Sequence, residues 1–121
     1  MHRPVIRLDR HAALEPCRTI DPANLESGTP QEAIRQFGVA DDGRFTVGIW
    51  SCTPEKDRIA EFPVDEFCVI LEGVVELIDE AGHAERFVAG DAFFVPRGFR
   101  GWWHTLEPVR KLYAIYDRSA A

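Results

Sequence analysis

Ligands for a transition metal are scarce in this 121-residue chain, which has four histidines and three cysteines. The cysteines have no paired spacing, so the sequence predicts neither a disulfide framework nor a zinc ribbon. Lysine is rarer still, because 12 of the 14 basic residues are arginines, and these are scattered along the chain. The formal net charge of −6 is unfavourable for binding a phosphate backbone, so we expect no nucleic-acid partner.

Long apolar runs are also missing. No run approaches the ~20 residues that span a bilayer, and charges interrupt the first residues where a signal peptide would have an apolar core. We therefore expect no membrane partner, a cytoplasmic location and free thiols. The length favours a single domain, and 45% hydrophobic residues are enough for a packed core.

Residues 1–44 are polar and rich in proline, and the sequence predicts that they form an N-terminal arm. The alternation in "PVIRLD" predicts a short edge strand over residues 5–9. The segment "TPQEAIRQFG" predicts a short helix, with Thr29 as its N-cap, Glu32 as the second member of a capping box and Gly38 as its stop.

Residues 45–121 show a β pattern. About eight short strands, separated by glycine and proline, are predicted in segments that include "RFTVGIWSC", "EFCVILEG", "VVELIDE" and "DAFFVPRG". Gly73 separates the second and third of these strands, "DEAG" is predicted as a turn, and the charges of "TPEKDR" predict a solvated loop. The strand number and spacing favour a sandwich or barrel, and the apolar run at residues 67–71 indicates burial on both faces.

Two stretches of this region resemble the motifs of the cupin family. Glu66 and Gly73, with six residues between them, match the end of the first cupin motif, and Gly90, Pro96 and Gly98 match the beginning of the second. More narrowly, "DEFCVILEG", "GDAFFVPRG" and "WWHTLEPVRKLYAIYD" resemble small single-domain cupins related to ureidoglycine aminohydrolase and ethanolamine-utilisation protein Q. The resemblance implies an all-β fold, a single cupin jelly-roll barrel of antiparallel strands at residues 45–121, preceded by the arm with its short helix. It also implies a homodimer.

The chain departs from the cupin pattern at the metal ligands. Metal-dependent cupins bind one ion through two histidines and a glutamate of the first motif and a histidine of the second. Here the position of the second-motif histidine falls on Gly101. The two first-motif histidine positions fall on Ala60 and Phe62 if three residues separate the second of them from Glu66, and on Ile59 and Glu61 if four residues do. The glutamate alone is kept, and catalytic sites usually need three protein ligands. We therefore predict no metal cofactor.

An atypical metal site is the alternative. Its only plausible donors are Glu66, Cys68, Glu61 and His104. Strand alternation places His104 on the face opposite to Trp103, so His104 would need a bulge to reach the others.

Glu66 is the leading candidate for chemistry. An inward carboxylate without a metal must be paired or have a raised pKa. Glu66 is therefore a general acid or base, a substrate anchor, or a structural carboxylate bound to a basic group such as Arg100 or Lys111. Lys111 and Tyr113 share one face of the last strand and would complete a catalytic set with Glu66. The alternative for Lys111 is a surface charge paired with Glu107.

Aromatic side chains are the candidate ligand-binding wall. Trp103 shares its strand face with Gly101, so its indole should fill part of the volume of the missing metal site. Cys68 shares the face of Glu66. The predicted ligand-binding residues are Trp50, Phe62, Cys68, Phe93 and Trp103, and the alternative for each is core packing.

The residues and the resemblance are compatible with three functions. The favoured one is a cupin that binds a small polar organic molecule in the barrel without the usual transition metal. The second is an aminohydrolase or isomerase that uses Glu66 with Lys111 and Tyr113, or an atypical metal. The third is a non-catalytic structural or regulatory protein whose barrel is filled by side chains.

Overall fold

The computed structural model describes residues 3–120, which form a curled antiparallel sheet of nine strands. This confirms the all-β expectation. The one helical element in this range is a single 3₁₀ turn at Pro22–Asn24. The strands are β1 Glu15–Cys17, β2 Leu25–Gly28, β3 Glu32–Val39, β4 Phe45–Cys52, β5 Glu55–Ile59, β6 Asp65–Asp79, β7 Ala84–Val88, β8 Ala92–Val95 and β9 Gly101–Tyr116.

Strand β9 is the centre of the sheet. It pairs with β6 along one edge, and on its other edge its two halves pair with β5 and β4. Strands β3 and β1 extend the sheet beyond β4, β2 extends it beyond β5, and β7 and β8 pair with β6. Because β9 contacts both halves of the sheet, its inward side chains lie in the middle of the molecule.

Strand β6 is continuous where the sequence indicated two strands separated by Gly73. The β6–β9 register shifts between Ile70 and Val75, so the strand passes through an irregular step at this glycine and continues. Gly73 has φ +87°, and a Cβ at this position would overlap the carbonyl oxygen of Pro108. Only glycine combines this conformation with such a close approach of two backbones.

The structure contradicts both elements predicted within the N-terminal arm. Residues 5–9 form no strand, and Val5 is 99% exposed. The predicted helix from Thr29 to Gly38 is strand β3, which pairs with β1 on one side and β4 on the other. The capping-box pattern was misleading because pairing with two neighbours outweighs a weak local helix signal.

The predicted loop "TPEKDR" is also wrong, because most of it belongs to strand β5. The side chains of this strand alternate: Glu55 and Asp57 face inward, whereas Lys56 and Arg58 lie over the ring of Trp102 at 5.8 and 5.7 Å. In this strand the side chains alternate between two faces, but both faces carry charged residues. A strand is predicted from alternating apolar and polar residues, so this segment carries no strand signal.

Arg110 fixes the N-terminal segment against β9. Its guanidinium donates to the carbonyl oxygens of Arg10 and Ala12 at 2.6 and 2.5 Å. The segment before β1 therefore lies along the sheet although it contains no strand.

The core fills the inner side of the curl. Its buried apolar side chains come mainly from β4, β6 and β9: Trp50, Cys52, Ile70, Val75, Leu77, Trp103, Val109 and Tyr113. The outer face of β6 is not buried within one chain, because Phe67 is 45% exposed. No helix in residues 3–120 is long and apolar enough to cross a membrane.

Candidate functional site

A cavity of about 530 Å³ lies among the inward side chains of β3, β4, β5, β6 and β9. Residues 19–24 and 58–64 complete its wall. The volume is within the range that accommodates small organic ligands. Of the predicted site residues, Trp50, Phe62, Glu66, Trp103, Lys111 and Tyr113 line this cavity.

Glu66 and Lys111 form a buried ion pair in the cavity wall. Nζ of Lys111 donates to Oε2 of Glu66 at 2.6 Å, and the two residues are 8% and 6% exposed, respectively. Lys111 is therefore not a surface charge paired with Glu107. Burial alone would lower the pKa of Lys111, but the Glu66 carboxylate and Cys68 outweigh it and raise this pKa to about 12. Lys111 is a fixed cation at neutral pH.

Two indole rings enclose the Lys111 ammonium. Nζ lies 4.6 Å from the ring centre of Trp50 and 4.5 Å from that of Trp103, both within the range of cation–π attraction. The two rings meet edge to face, with centres 5.8 Å apart. The Trp103 indole N–H donates to Oγ1 of Thr105. Strand alternation correctly placed Trp103 on the inner face.

Cys68 lies behind Glu66. Its thiol donates to Oε2 of Glu66 at 3.2 Å, and the residue is fully buried without lining the cavity. Burial, with a further contribution from Glu66, raises the pKa of the Cys68 thiol to about 12. Cys68 therefore remains a thiol, and it is suited neither to nucleophilic attack nor to metal binding.

Tyr113 completes the group around Lys111. It is 3% exposed, and burial followed by the Glu66 charge raises the pKa of its hydroxyl. Its ring is accommodated by Gly48 on the adjacent strand, where a Cβ would overlap the Tyr113 hydroxyl and the carbonyl oxygen of Arg35. The structure thus brings together Glu66, Lys111 and Tyr113.

Phe93 and His104 lie away from the cavity wall. Phe93 packs behind Trp103, with ring centres 6.1 Å apart, and stacks on Phe87 at 4.2 Å. His104 is next to Trp103 on β9, so its side chain is on the opposite face. These positions make Phe93 a support for Trp103 and leave His104 outside the site.

A carboxyl pair that the sequence did not predict, Glu55 and Asp57, lies on the same wall. Glu55 is 2% exposed, and no N–H or O–H group within residues 3–120 donates to either of its carboxylate oxygens. Burial, then the neighbouring Asp57 carboxyl, raises the pKa of Glu55 to about 9. Burial also raises the pKa of Asp57. The only sequence signal was the charge alternation in "EKDRI".

Glu32 was also missed, because the sequence indicated a helix cap at this position. Its carboxylate accepts hydrogen bonds from the backbone N–H groups of Thr19 and Ile20 and from the Thr19 hydroxyl. It also accepts the Trp50 indole N–H at 3.0 Å. Glu32 therefore orients Trp50 toward Lys111 and ties the segment before β2 to the cavity.

The donor set around Glu66 does not fit the transition metal that the cupin resemblance implies. The carboxylate is already paired with a cation at 2.6 Å, and a metal ion bound to it would be repelled by Lys111. Glu61 lies at the exposed rim of the cavity, 3.9 Å from Arg100. In the described part of the chain, no three histidine, cysteine or acidic side chains are grouped so as to hold a metal ion.

Comparisons with known proteins agree with this architecture. The sequence model for the EutQ-like cupin domain matches residues 39–113. A solved structure from Pseudomonas syringae pv. tomato, a DUF861 family protein of unknown function, superposes with a TM-score of 0.84 at 30% identity. That match covers 89% of this chain and 46% of the other, so this chain spans less than half of that relative.

Two further structures are similar. A DUF861 family protein from Thermotoga maritima is 38% identical, with a TM-score of 0.51, over 54% of this chain and 73% of the other. A putative ethanolamine utilization protein Q from Salmonella typhimurium is 24% identical, with a TM-score of 0.63, over 75% of this chain and 72% of the other, and shares the fold. No functionally curated protein matches the chain. The match to the family model over more than half of its length shows that this chain belongs to the EutQ-like cupin domain family.

Proposed function

We propose that this cupin binds a small polar organic molecule in its cavity, with the Lys111 ammonium serving as the fixed cation in place of a transition metal. The observation that supports the proposal is the buried Lys111–Glu66 pair, enclosed by two indole rings and open to the cavity. A cavity with largely apolar walls and a few charged groups is typical of a ligand site.

Lys111 has hydrogen-bonding capacity beyond Glu66. An ammonium carries three donors, and Glu66 accepts one of them. A carbonyl, hydroxyl or carboxylate oxygen of the ligand could accept another. In this buried setting a charge-assisted hydrogen bond is stronger than in water. Trp50 and Phe62 would cover the apolar part of the ligand.

The three tryptophans provide a direct test. Trp50 and Trp103 line the cavity, whereas Trp102 does not and serves as an internal control. Acetate and acetamide, added at millimolar concentrations, should shift the indole N–H resonances of Trp50 and Trp103 but not that of Trp102. In the double variant Lys111→Met/Glu66→Gln, which leaves no unpaired charge, the affinity should fall about tenfold or more. Unchanged affinity in this variant would refute the proposal, as would the lack of any shift at Trp50 and Trp103.

An enzymatic function is the second candidate, and the clustering of Glu66, Lys111 and Tyr113 favours it. Since Lys111 stays protonated, it would stabilise a developing negative charge, and Glu66 would be the proton acceptor. An enzyme would convert a bound ureido or amino compound, whereas a binding protein would not. In the enzyme, Glu66→Gln should abolish this turnover while the variant still binds the compound.

A further inference from the structure

The cavity wall has an acidic side that the Lys111 site does not use. Five carboxyl side chains line the cavity against one lysine and one arginine: Asp21, Glu55, Asp57, Glu61 and Glu66. Glu66 is neutralised by Lys111, and Asp21 and Glu61 are near the exposed rim. The uncompensated charge inside the cavity is therefore at Glu55 and Asp57.

Glu55 is built to receive a hydrogen-bond donor. The residue is 2% exposed, and neither carboxylate oxygen accepts a hydrogen bond from the described residues. A buried carboxyl without a donor costs free energy, so native proteins rarely keep one without a reason. Strand β2 packs closely against Glu55, because a Cβ at Gly28 would overlap the backbone of Pro54 and Glu55.

The second member of the pair increases the preference for a cation. Asp57 is two residues away on the same face of β5, and both carboxyls line the cavity. No basic side chain of residues 3–120 forms an ion pair with either carboxyl, so the negative charge of the pair is uncompensated. A neutral ligand would leave that charge uncompensated, whereas a cationic donor would neutralise it and bind the free oxygen lone pairs.

We infer that the Glu55–Asp57 pair binds the protonated amine of the ligand, so the cavity selects small organic molecules that carry an alkylammonium group. The inference rests on the proposed function and specifies its ligand class. An ammonium supplies three N–H donors and one positive charge, which matches two adjacent carboxyls, one of which receives no hydrogen bond from the described residues. Such a ligand would have its amine at β5 and its hydrogen-bond acceptor at Lys111.

The test compares two probes of the same size, propylammonium and 1-propanol. Affinities are measured from the indole resonances of Trp50 and Trp103 in the wild type, in Glu55→Gln and in Asp57→Asn. Glu85→Gln, a substitution on the exposed strand β7, is the matched control. Acetate is titrated into the same samples, since it reports on Lys111.

We expect propylammonium to bind the wild type at least about tenfold more tightly than 1-propanol, and we expect Glu55→Gln or Asp57→Asn to remove this preference. The control should keep it. Equal affinity for propylammonium and 1-propanol overturns the inference, as does a preference for propylammonium that survives both substitutions. If acetate still binds in either case, the proposed function stands. Binding of none of the three probes overturns both. If Glu55→Gln does not fold, Asp57→Asn and the wild-type preference decide the outcome.

Discussion

Nζ of Lys111 lies 2.6 Å from Oε2 of Glu66, and both residues are more than nine-tenths buried. An isolated charge at this depth would be expensive, so each of the two charges is stabilised by the other. By the motif match, Glu66 corresponds to the glutamate ligand of metal-dependent cupins. In this chain, a positive charge is therefore supplied by the polypeptide itself.

Lys111→Met should destabilise the protein strongly. Removing one partner of a buried ion pair leaves the other charge uncompensated, which costs about 3–5 kcal/mol of unfolding free energy. The double variant Lys111→Met/Glu66→Gln should recover most of this loss, because no unpaired charge remains. Urea denaturation of the four proteins of this double-mutant cycle measures the coupling between the two residues.

The exposed pair of Arg86 and Glu76 is the control for that experiment. Their side chains are 3.4 Å apart and 61% and 23% exposed. Glu76→Gln should therefore change the unfolding free energy by less than about 1 kcal/mol. If Lys111→Met lowers the unfolding free energy by no more than Glu76→Gln does, the buried pair stabilises the fold no more than an exposed pair.

Glu55→Gln should reduce the pH dependence of stability. Burial and Asp57 raise the pKa of Glu55 to about 9 from the ordinary 4.5. Between these values the folded state binds more protons than the unfolded state, so the unfolding free energy falls as pH rises, by at most about 1.4 kcal/mol per pH unit. Glutamine does not ionise, so the variant should gain stability relative to the wild type toward pH 9. Urea denaturation across this interval measures the difference.

The groups around Glu55 set the background for this titration. Glu55 interacts with Glu32 on β3, Cys52 on β4 and Asp57 on β5, and Asp57 in turn interacts with Glu26 on β2 and Lys111 on β9. The raised pKa of Asp57 adds a decline of the same sign that begins near its ordinary value of 3.8. Lys111 loses its contribution only above its ordinary value of 10.5, outside the interval. Glu85→Gln should follow the wild-type slope, and an identical slope in Glu55→Gln would contradict the assignment.

The sequence predicted the central strands well because their side chains alternate cleanly. In β9, Trp103, Thr105, Val109, Lys111 and Tyr113 are all buried. This alternation was sufficient to place Trp103 inward and to bring Lys111 and Tyr113 to one face. The period of two is a direct consequence of strand geometry, so it needs no knowledge of the partners.

The carboxyl side of the cavity could not be predicted, because its burial depends on distant partners. Glu32 is held by Thr19, Ile20 and Trp50, three residues from other parts of the chain. Glu55 is covered by neighbouring strands and has no local pattern that distinguishes it from a surface charge. Charged residues are rarely buried, so the sequence assigned Glu55 to a solvated loop and Glu32 to the capping box of a helix.

Elemental analysis tests the prediction that the usual metal is absent. We expect the purified, untagged protein to contain far less than one equivalent of manganese, iron, nickel or zinc, because the Lys111 ammonium would repel an ion at Glu66. A stoichiometric metal that is lost in Glu66→Ala would contradict this prediction. A metal that persists in Glu66→Ala would be bound elsewhere and would leave the Glu66 site unaffected.

Self-association through the outer face of the sheet is the remaining prediction. Phe67 on β6 and Phe94 on β8 are register neighbours, and they are 45% and 59% exposed. Adjacent exposed aromatics of this kind are typical of interaction surfaces. Light scattering at micromolar concentration should therefore give about 27 kDa, twice the chain mass of 13.7 kDa. Phe67→Arg should shift it to the monomer, whereas Val5→Arg, at a 99% exposed position, should not. A wild-type monomer would refute the homodimer.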